Sequence, residues 1–252
     1  MSMALVPAAA PYAKVMGLDP ARMPRHVAIV MDGNGRWARS RLWDRTRGHQ
    51  RGAEAVRAIT TESVKLGIDR LTLYAFSSEN WERPQREVHY LMDLLDRFLR
   101  GELATLMENN VRLEAIGRLD RLPEKVRRTL NEALVASAAN TAMVLCLALS
   151  YGGRDELVDA CKSIAAAVAA GRLQPEAIDE ALFQAHLYAP SAPDVDVVIR
   201  TANEQRLSNF LPWQATYAEF VPVAPLWPDF TVPYFHAALK EYQGRERRFG
   251  KV

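Results

Sequence analysis

One acidic side chain, Asp32, follows a short apolar run and precedes a loop that contains two glycines and an arginine. The run at residues 27–31 (VAIVM) is continuous, which is typical of a strand buried on both faces of a parallel sheet. Gly33 and Gly35 allow backbone N–H groups to approach a ligand, and such a loop at a helix N-terminus favours anions. Arg36 adds a permanently charged donor that suits phosphate. Because a divalent cation bound to a diphosphate usually takes one or two protein carboxylates, Asp32 is the candidate metal ligand.

The same stretch also fits a relaxed dinucleotide-binding pattern, Gly33-x-Gly35-x-x-Ala38, placed after a strand. That pattern requires an acidic residue about twenty positions further on, at the end of a second strand. Here the interval holds an arginine-rich loop and the start of a helix, and the next apolar run begins near Leu71. The sequence therefore favours a diphosphate site over a nucleotide site, with the nucleotide site as the weaker alternative.

Two further groups of polar residues come directly after predicted strands. Residues 77–83 (SSENWER) follow the second strand, and Arg200, Arg206 and Ser208 follow the fifth. Two arginines and a hydroxyl at this spacing could bind one diphosphate through paired hydrogen bonds. Each arginine could also be an ordinary surface ion pair, and the serine could cap a following helix. Glu219 is predicted to return to the same sheet edge as a second metal-directed carboxylate.

Strand and helix patterns alternate along the chain and must position these groups. Apolar runs predict strands at residues 27–31, 71–76, 111–116, 143–149, 195–199 and 219–223. Helical spacing predicts helices between Ala53 and Gly67, from Pro84 to Asn109, at 123–139, at 154–170, from Pro175, and at a polar C-terminal segment. This order predicts an α/β fold: a single domain with a central, mostly parallel sheet of about six strands flanked by helices.

Composition limits the class of protein. The 252 residues are 49% hydrophobic and 25% charged, enough to bury one large core. The net charge of +2 does not indicate nucleic-acid binding, although residues 36–51 hold six arginines against one acid, Asp44. Cys146 and Cys161 lack metal-ligand spacing and are interpreted as buried free thiols of a reducing compartment.

The N-terminal segment is apolar but is interrupted by Pro7 and Pro11. It lacks the features of a signal peptide, and no apolar run reaches the roughly twenty residues that span a bilayer. We therefore predict a mobile arm at residues 1–22, one catalytic domain at residues 23–252, and at most peripheral contact with a membrane.

Several long motifs together resemble the cis-prenyltransferase (Z-isoprenyl diphosphate synthase) family, in particular its bacterial members that form undecaprenyl diphosphate. The resemblance covers roughly residues 20–245. The motifs occur in the family's order and spacing: HVAIVMDGNGRWA at 26–38, Arg45-x-x-Gly48-His49, LTLYAFSSENWERP at 71–84, SYGGRDE at 150–156, IRTANEQRLSNFLPWQATYAEF at 199–220 and LWPDF at 226–230.

The resemblance implies a homodimer with an apolar tunnel between sheet and helices, acting with Mg²⁺. Asp32 would be the catalytic metal ligand, and Glu219, supplied by the partner subunit, would complete the metal site. Asn80 would be the second catalytic residue, as the proton acceptor. The allylic diphosphate would be bound by Gly33, Asn34, Gly35, Arg36, Trp37, Arg45, His49, Ser77, Ser78, Glu79, Trp81 and Arg83. Isopentenyl diphosphate would be bound by Arg200, Arg206, Leu207 and Ser208.

The implied reaction condenses isopentenyl diphosphate with farnesyl diphosphate, or a shorter allylic diphosphate. The implied product is a long-chain Z-polyprenyl diphosphate, undecaprenyl diphosphate, used as the lipid carrier of cell-wall synthesis. A cytoplasmic enzyme with peripheral contact at the inner face of the membrane is expected. The alternatives are a short-chain, medium-chain or branching synthase of the same family, and, more remotely, a noncatalytic subunit or a nucleic-acid-binding protein.

Two features of this reaction lead to hypotheses about single residues. A neutral amide is a poor base, so Asn80 is expected to orient a water molecule or a phosphate oxygen. The helix from Pro84 and the strands at Leu71 and Met143 could line the tunnel, although the same apolar stripe fits an ordinary core. Small Ala75 and flexible Met143 would then leave room for a long product.

Overall fold

Six parallel strands form one sheet in the computed structural model, which describes residues 9–246. The strands are β1 (His26–Val30), β2 (Arg70–Ser77), β3 (Val111–Ile116), β4 (Met143–Tyr151), β5 (Val197–Arg200) and β6 (Glu219–Pro222). Their order is β3-β4-β2-β1-β5-β6, and every pairing is parallel. Each strand lies within two residues of its predicted ends, and the predicted single-domain α/β class is confirmed.

Helices connect the strands as the alternating patterns predict. They are α1 (Ala9–Val15), α2 (Asn34–Arg39), α3 (Arg45–Lys65), α4 (Gln85–Glu108), α5 (Glu124–Ser137), α6 (Gly153–Ala169), α7 (Glu180–Ala185) and α8 (Val232–Gly244). α3 begins where the Asp44 side chain accepts a hydrogen bond from the Thr46 N–H at 2.9 Å. Among residues 9–246, every helix is too short or too polar to cross a bilayer.

Apolar side chains cover both faces of the sheet. Val27 and Ile29 of β1 belong to a core cluster shared with α3, α4, α5 and α8. Ala28 and Val30 belong to a second cluster on the opposite face, together with Phe210. All five residues of β1 are buried, which confirms the prediction of a central strand. Burial on both faces fixes the end of this strand, and with it the backbone at Asp32.

The N-terminal segment differs from the predicted mobile arm. Ala9 and Ala13 of α1 are buried, and the Tyr12 hydroxyl donates a hydrogen bond to Glu62 of α3 at 2.9 Å. The Asp19 N–H donates to the side chain of Gln243 in α8 at 3.0 Å. Residues 9–22 are therefore packed against the domain, because the small residues of α1 allow close approach. Residues 1–8 of the predicted arm lie outside the described residues.

Three local expectations are wrong. No helix follows Ser208 before β6, so Ser208 cannot cap one: residues 201–218 form turns and irregular backbone, and Ser208 has a left-handed φ of 52°. The C-terminal helix was expected to be polar, but α8 buries an apolar face that includes Phe235 and Leu239. Cys146 is buried as expected, whereas Cys161 is exposed.

Candidate active site

Two hydrogen bonds to its carbonyl hold the backbone at Asp32, at the carboxyl end of β1. Its carbonyl accepts hydrogen bonds from the Trp227 N–H at 2.9 Å and from the Thr201 hydroxyl at 2.7 Å. The next residue, Gly33, has a φ of 104°, and a Cβ there would lie 2.8 Å from a methyl carbon of Leu226. Only glycine therefore fits this turn into α2 without displacing its neighbours.

The Asp32 carboxylate lies between two guanidinium groups from distant parts of the chain. Arg200 Nη2 donates to Oδ2 at 2.9 Å, and Arg36 Nη2 donates to Oδ1 at 3.2 Å. Burial acts to raise the pKa of Asp32, but the hydrogen bonds from Arg200 and Arg36 outweigh it and hold the pKa below its usual range. The Asp32 carboxylate is therefore ionised at neutral pH.

Arg200 is nearly completely buried, and its other nitrogens face the turns that follow β5. Its Nη1 donates to the Ser208 hydroxyl at 2.5 Å and to the Arg206 carbonyl. Its Nε has no hydrogen-bond partner among residues 9–246. A buried guanidinium with an unpaired donor is well suited to receive an anion. Arg200 and Ser208 belong to a polar cleft, called here the Arg200 cleft, whose full lining is Val30, Met31, Asp32, Tyr74, Ser77, Glu79, Asn80, Arg83, Arg200, Ser208 and Asn209.

A second polar cleft, the Arg36 cleft, opens on the α2 side of Asp32. It is lined by Met31, Asp32, Gly33, Asn34, Gly35, Arg36, Arg39, Arg45, His49, Arg83, Glu87, Glu204 and Arg206. Two carboxylates hold its arginines: Glu204 pairs with Arg36 at 3.0 Å and with Arg206 at 2.6 Å. Glu87 pairs with Arg45 and Arg83 at 3.2 and 3.1 Å. Neither carboxylate was singled out from the sequence, since glutamates among arginines carry no distinctive spacing.

His49 is the one histidine among the described residues that line the Arg36 cleft. Burial lowers the pKa of His49 to about 4, the charge of Arg83 adds to this shift, and the nearby Glu87 opposes it. The imidazole is therefore neutral at neutral pH. It can donate one hydrogen bond to an anion without contributing a charge.

The turn at residues 78–82 connects β2 to α4 and closes the Arg200 cleft. The Asn80 side-chain oxygen accepts a hydrogen bond from the Ser77 N–H at 3.1 Å. The Trp81 indole donates to the Ser150 hydroxyl at 2.9 Å. Glu79 accepts a hydrogen bond from the Asn209 side chain at 3.0 Å, which joins this turn to the segment after β5. Asn209 was not predicted as a site residue, because its role depends on a contact between segments 130 residues apart.

An apolar cleft of about 680 Å³, measured with its open mouth, runs between α3, α4 and the sheet. Its lining is Met31, Asn34, His49, Gly52, Ala53, Val56, Leu73, Ala75, Phe76, Leu91, Met92, Leu94, Leu95, Phe98, Leu147, Leu149 and Trp227. Ala75 lines it as expected, where the β2–β4 register shifts between Tyr74 and Phe76. Met143 does not line it, because this residue lies at the start of β4 and is buried beside Val111.

Several predicted binding residues lie outside the linings of these clefts. Trp37 is buried, and its indole donates to Asp229 at 2.8 Å. Leu207 packs against the second core cluster. Ser78 lies close to Gly152, where an added Cβ would approach its hydroxyl to 2.5 Å, and Trp81 packs edge-on against Phe76.

Glu219 does not return to the edge that carries Asp32. It is the first residue of β6 and pairs with Val197, the first residue of β5. Because β5 and β6 are parallel, Glu219 lies at the amino end of the sheet, where it pairs with Arg245 at 3.0 Å. The expectation that Glu219 reaches the same edge is wrong within one chain, because the residue begins its strand instead of following it.

The donor set at Asp32 fits a divalent cation that is shared with a bound diphosphate. The residues described contain no cluster of three or more His, Cys, Asp or Glu side chains that could enclose a metal ion alone. Asp32 provides one ionised, half-buried carboxylate facing clefts rich in arginine. Mg²⁺ commonly takes one or two carboxylates and completes its shell with phosphate oxygens and water. The residues present therefore suit magnesium bound together with substrate.

The α/β fold with two arginine-lined clefts beside Asp32 defines a class of protein suited to binding anions, and comparison with known proteins identifies the family. A family model described as "Putative undecaprenyl diphosphate synthase" matches residues 30–250. An isoprenyl transferase of Geobacter sulfurreducens is 47% identical over 236 residues, covering 94% of this chain and 96% of the relative. An isoprenyl transferase of Rhizobium meliloti is 49% identical, covering 92% and 94%.

Solved structures agree with the sequence comparison. A lavandulyl diphosphate synthase of Lavandula x intermedia, crystallised with dimethylallyl diphosphate, has a TM-score of 0.90 and 40% identity over 92% of this chain and all of that chain. A protein described as a "probable undecaprenyl diphosphate synthase" from Campylobacter jejuni has a TM-score of 0.75 and 37% identity, covering 90% of this chain and 99% of that chain. The chain belongs to the undecaprenyl diphosphate synthase family of prenyltransferases, and it is an enzyme that transfers prenyl groups.

Proposed function

We propose that this enzyme is a Mg²⁺-dependent cis-prenyltransferase that condenses isopentenyl diphosphate with farnesyl diphosphate or a shorter allylic diphosphate. Repeated condensation makes a long-chain Z-polyprenyl diphosphate, undecaprenyl diphosphate, in the cytoplasm. One observation carries the proposal: Met31 lines both polar clefts and the apolar cleft, so two anion sites and one apolar channel meet beside Asp32.

The allylic diphosphate binds in the Arg36 cleft with its hydrocarbon chain in the apolar cleft. Asn34 and His49 line both of these clefts, so the diphosphate of the allylic substrate and its hydrocarbon chain meet beside these two residues. Isopentenyl diphosphate binds in the Arg200 cleft, where Arg200 and Ser208 face its phosphates. On binding, Arg36 and Arg200 exchange part of their contact with Asp32 for contact with phosphate oxygens.

The reaction breaks the allylic carbon–oxygen bond, and the electron pair leaves with the diphosphate. The double bond of isopentenyl diphosphate attacks that carbon, a new carbon–carbon bond forms, and a proton is lost from the isopentenyl unit. Arg36 and Arg200 stabilise the negative charge that develops on the leaving group. Asp32, with Glu219 of a homodimer partner as the proposed second ligand, would hold magnesium, which when bound would supply Lewis-acid stabilisation of the same charge.

Asn80 positions the group that takes the proton. Its side-chain oxygen is engaged by the Ser77 N–H, so its NH₂ group can donate to a phosphate oxygen or water in the Arg200 cleft. An amide cannot take the proton itself at neutral pH, whereas a phosphate oxygen or water can.

Incubation of the full chain with radiolabelled isopentenyl diphosphate and farnesyl diphosphate tests the proposal. Label should enter apolar products in the presence of Mg²⁺ and not with excess chelator. Dephosphorylated products should run as a long-chain species on thin-layer chromatography. No incorporation with any allylic primer would contradict the proposed reaction.

A second candidate, a short-chain or branching synthase, is favoured by the high structural similarity to lavandulyl diphosphate synthase. The apolar cleft supports the long-chain product, since it extends from Asn34 to Phe98 along α4. A narrow cleft, also lined by Phe98, continues beyond it between α3 and α4. A product of one condensation only would establish the second candidate.

A further inference from the structure

A surface loop at residues 40–44, the Leu42 loop, joins α2 to α3 and presents two large apolar side chains. Leu42 is 97% exposed and Trp43 is 44% exposed. Leu42 belongs to neither core cluster and lines none of the three clefts. Packing and the proposed chemistry therefore leave this side chain unexplained.

The backbone of the Leu42 loop makes the exposed leucine more unusual. Leu42 has a φ of 56°, in the left-handed region that glycine and asparagine adopt more easily than leucine. A leucine at this position carries a conformational cost and gains no burial within the chain. Such an outlier points to a contact made outside the chain.

Positive charge predominates around the Leu42 loop, although the loop contains one acid, Asp44, which caps α3, and its Arg41 pairs with Asp229. Arg39 and Arg47 flank the loop and form no ion pair with a carboxylate in the part of the chain that the structure describes. The Arg47 guanidinium lies 5.2 Å from the ring centroid of Trp43. Exposed leucine and tryptophan beside unpaired arginines match the chemistry of an anionic membrane interface, where apolar side chains insert and arginines meet lipid phosphates.

The loop also lies beside the substrate clefts. Arg39 and Arg45, on either side of it, both line the Arg36 cleft. We infer that the Leu42 loop and its arginines are a docking surface for an anionic lipid bilayer. Docking there places the mouth of the diphosphate site at the membrane, where a long apolar product can transfer into lipid; this purpose, but not the docking itself, rests on the proposed function.

Co-sedimentation of the full chain with lipid vesicles tests the docking surface. We expect binding to vesicles of phosphatidylcholine with one third phosphatidylglycerol, weak binding to phosphatidylcholine alone, and loss of binding as salt is raised. Leu42→Gly removes the apolar side chain and relieves the left-handed backbone, so its melting temperature should equal or exceed that of the wild type.

The inference requires Leu42→Gly to bind anionic vesicles about tenfold more weakly, since it loses one inserted leucine side chain. Arg47→Gln should weaken binding and reduce its salt dependence. Val135→Ser, which changes a 69% exposed apolar residue on α5, serves as the control and should bind like the wild type.

Wild-type binding by Leu42→Gly, or equal binding to neutral and anionic vesicles, would overturn the inference. A change in sedimentation velocity of Leu42→Gly without a change in vesicle binding would instead identify the loop as a contact between copies of this chain. Detergent-solubilised turnover of Leu42→Gly should match the wild type. An enzyme that makes only short products but still docks through Leu42 would contradict the long-chain proposal and leave this inference standing.

Discussion

At the scale of single residues, charge placement around Asp32 governs the chemistry. The carboxylate is held by Arg36 and Arg200, and each guanidinium also borders a separate anion cleft. In the proposed mechanism the ionised carboxylate holds a metal ion and orients two arginines, so its removal should affect both clefts at once. Replacement of either arginine affects one cleft more than the other.

Asp32→Asn should reduce turnover at saturating substrate by about 10³-fold or more, because the amide keeps the shape of the carboxylate but not its charge. The variant should remain folded. Steady-state kinetics with Mg²⁺ and circular dichroism check this expectation. Asp159→Asn is the matched control: Asp159 has the same 29% side-chain exposure and also pairs with an arginine, Arg118. Near-wild-type turnover of Asp32→Asn would contradict the assigned role.

Asn80 allows two roles to be separated, a structural cap and a hydrogen-bond donor. Asn80→Ala should lower kcat at saturating substrates by about 10²-fold if the residue positions the proton acceptor. Asn80→Asp keeps an oxygen that can accept from the Ser77 N–H but removes the donor. Loss of turnover in both variants supports the donor role, whereas an active Asn80→Asp would show that the cap alone matters. A wild-type rate for Asn80→Ala would refute both.

At the scale of elements, two loops from separate strand ends meet over the Arg200 cleft. Asn209 donates to Glu79, its side-chain oxygen accepts from the Arg154 N–H at 2.8 Å, and its φ is 63°. It therefore connects the turn at 78–82, the segment after β5 and the start of α6. Because Asn209 bonds to all of these segments around the cleft, its contacts help to set the shape of the cleft.

Asn209→Gly should raise the KM for isopentenyl diphosphate by about tenfold with a smaller effect on the KM for the allylic substrate. Glycine keeps the left-handed backbone and removes both side-chain hydrogen bonds, each of which typically contributes about 1 kcal/mol. Asn209→Ala adds backbone strain and should be worse for stability in thermal unfolding. Equal rises in both KM values would argue against a role confined to the Arg200 cleft.

The apolar cleft predicts a dependence of product length on one small residue of β2. Ala75 lines the cleft at the register shift, so Ala75→Leu should shorten the product as larger side chains obstruct the channel. Met143→Leu conserves volume away from the cleft and should leave the product ladder unchanged. Thin-layer chromatography of the dephosphorylated products distinguishes the two, and an unchanged ladder for Ala75→Leu would count against this channel.

At the scale of the whole molecule, buried neutral histidines connect stability to pH. Burial lowers the pKa of His26 to about 4. The hydrogen bond to the Pro193 carbonyl opposes this lowering, and the charge of Arg70 adds to it. The pKa of His49 is lowered to about the same value. Between pH 6.5 and about 4, the unfolded chain therefore binds more protons than the folded chain, and stability falls as pH falls.

We expect the free energy of unfolding to decrease by about 2 kcal/mol for His26 alone between pH 7 and pH 5, since each pKa unit corresponds to about 1.4 kcal/mol. Urea unfolding at the two pH values measures this change. His26→Gln should reduce the pH dependence, even where its overall stability is lower. His89→Gln, at an exposed position on α4, should leave the dependence intact. Stability that is constant or rises toward pH 5 would contradict the assignment.

Much of the fold and of the site follows from local patterns. The buried run of β1 and the order of strands and helices follow from neighbouring residues, so they could be predicted, whereas α3 begins at Arg45, earlier than the predicted Ala53. The same holds for the convergence of Asp32 and Arg200, because parallel strands end at one edge. The position of Glu219 could not be predicted from its distance along the chain, since strand register and direction determine which edge it reaches.

Apolar periodicity and long motifs are local properties, so the α/β class, the central strand and the family of the enzyme could be predicted from them. Three features are visible only in the folded chain: Glu87 and Glu204 pair with the cleft arginines, Asn209 joins two loops, and Met143 lies away from the apolar cleft. These facts depend on distances between segments far apart in the chain. Packing fixes such distances, and no short stretch of residues contains them.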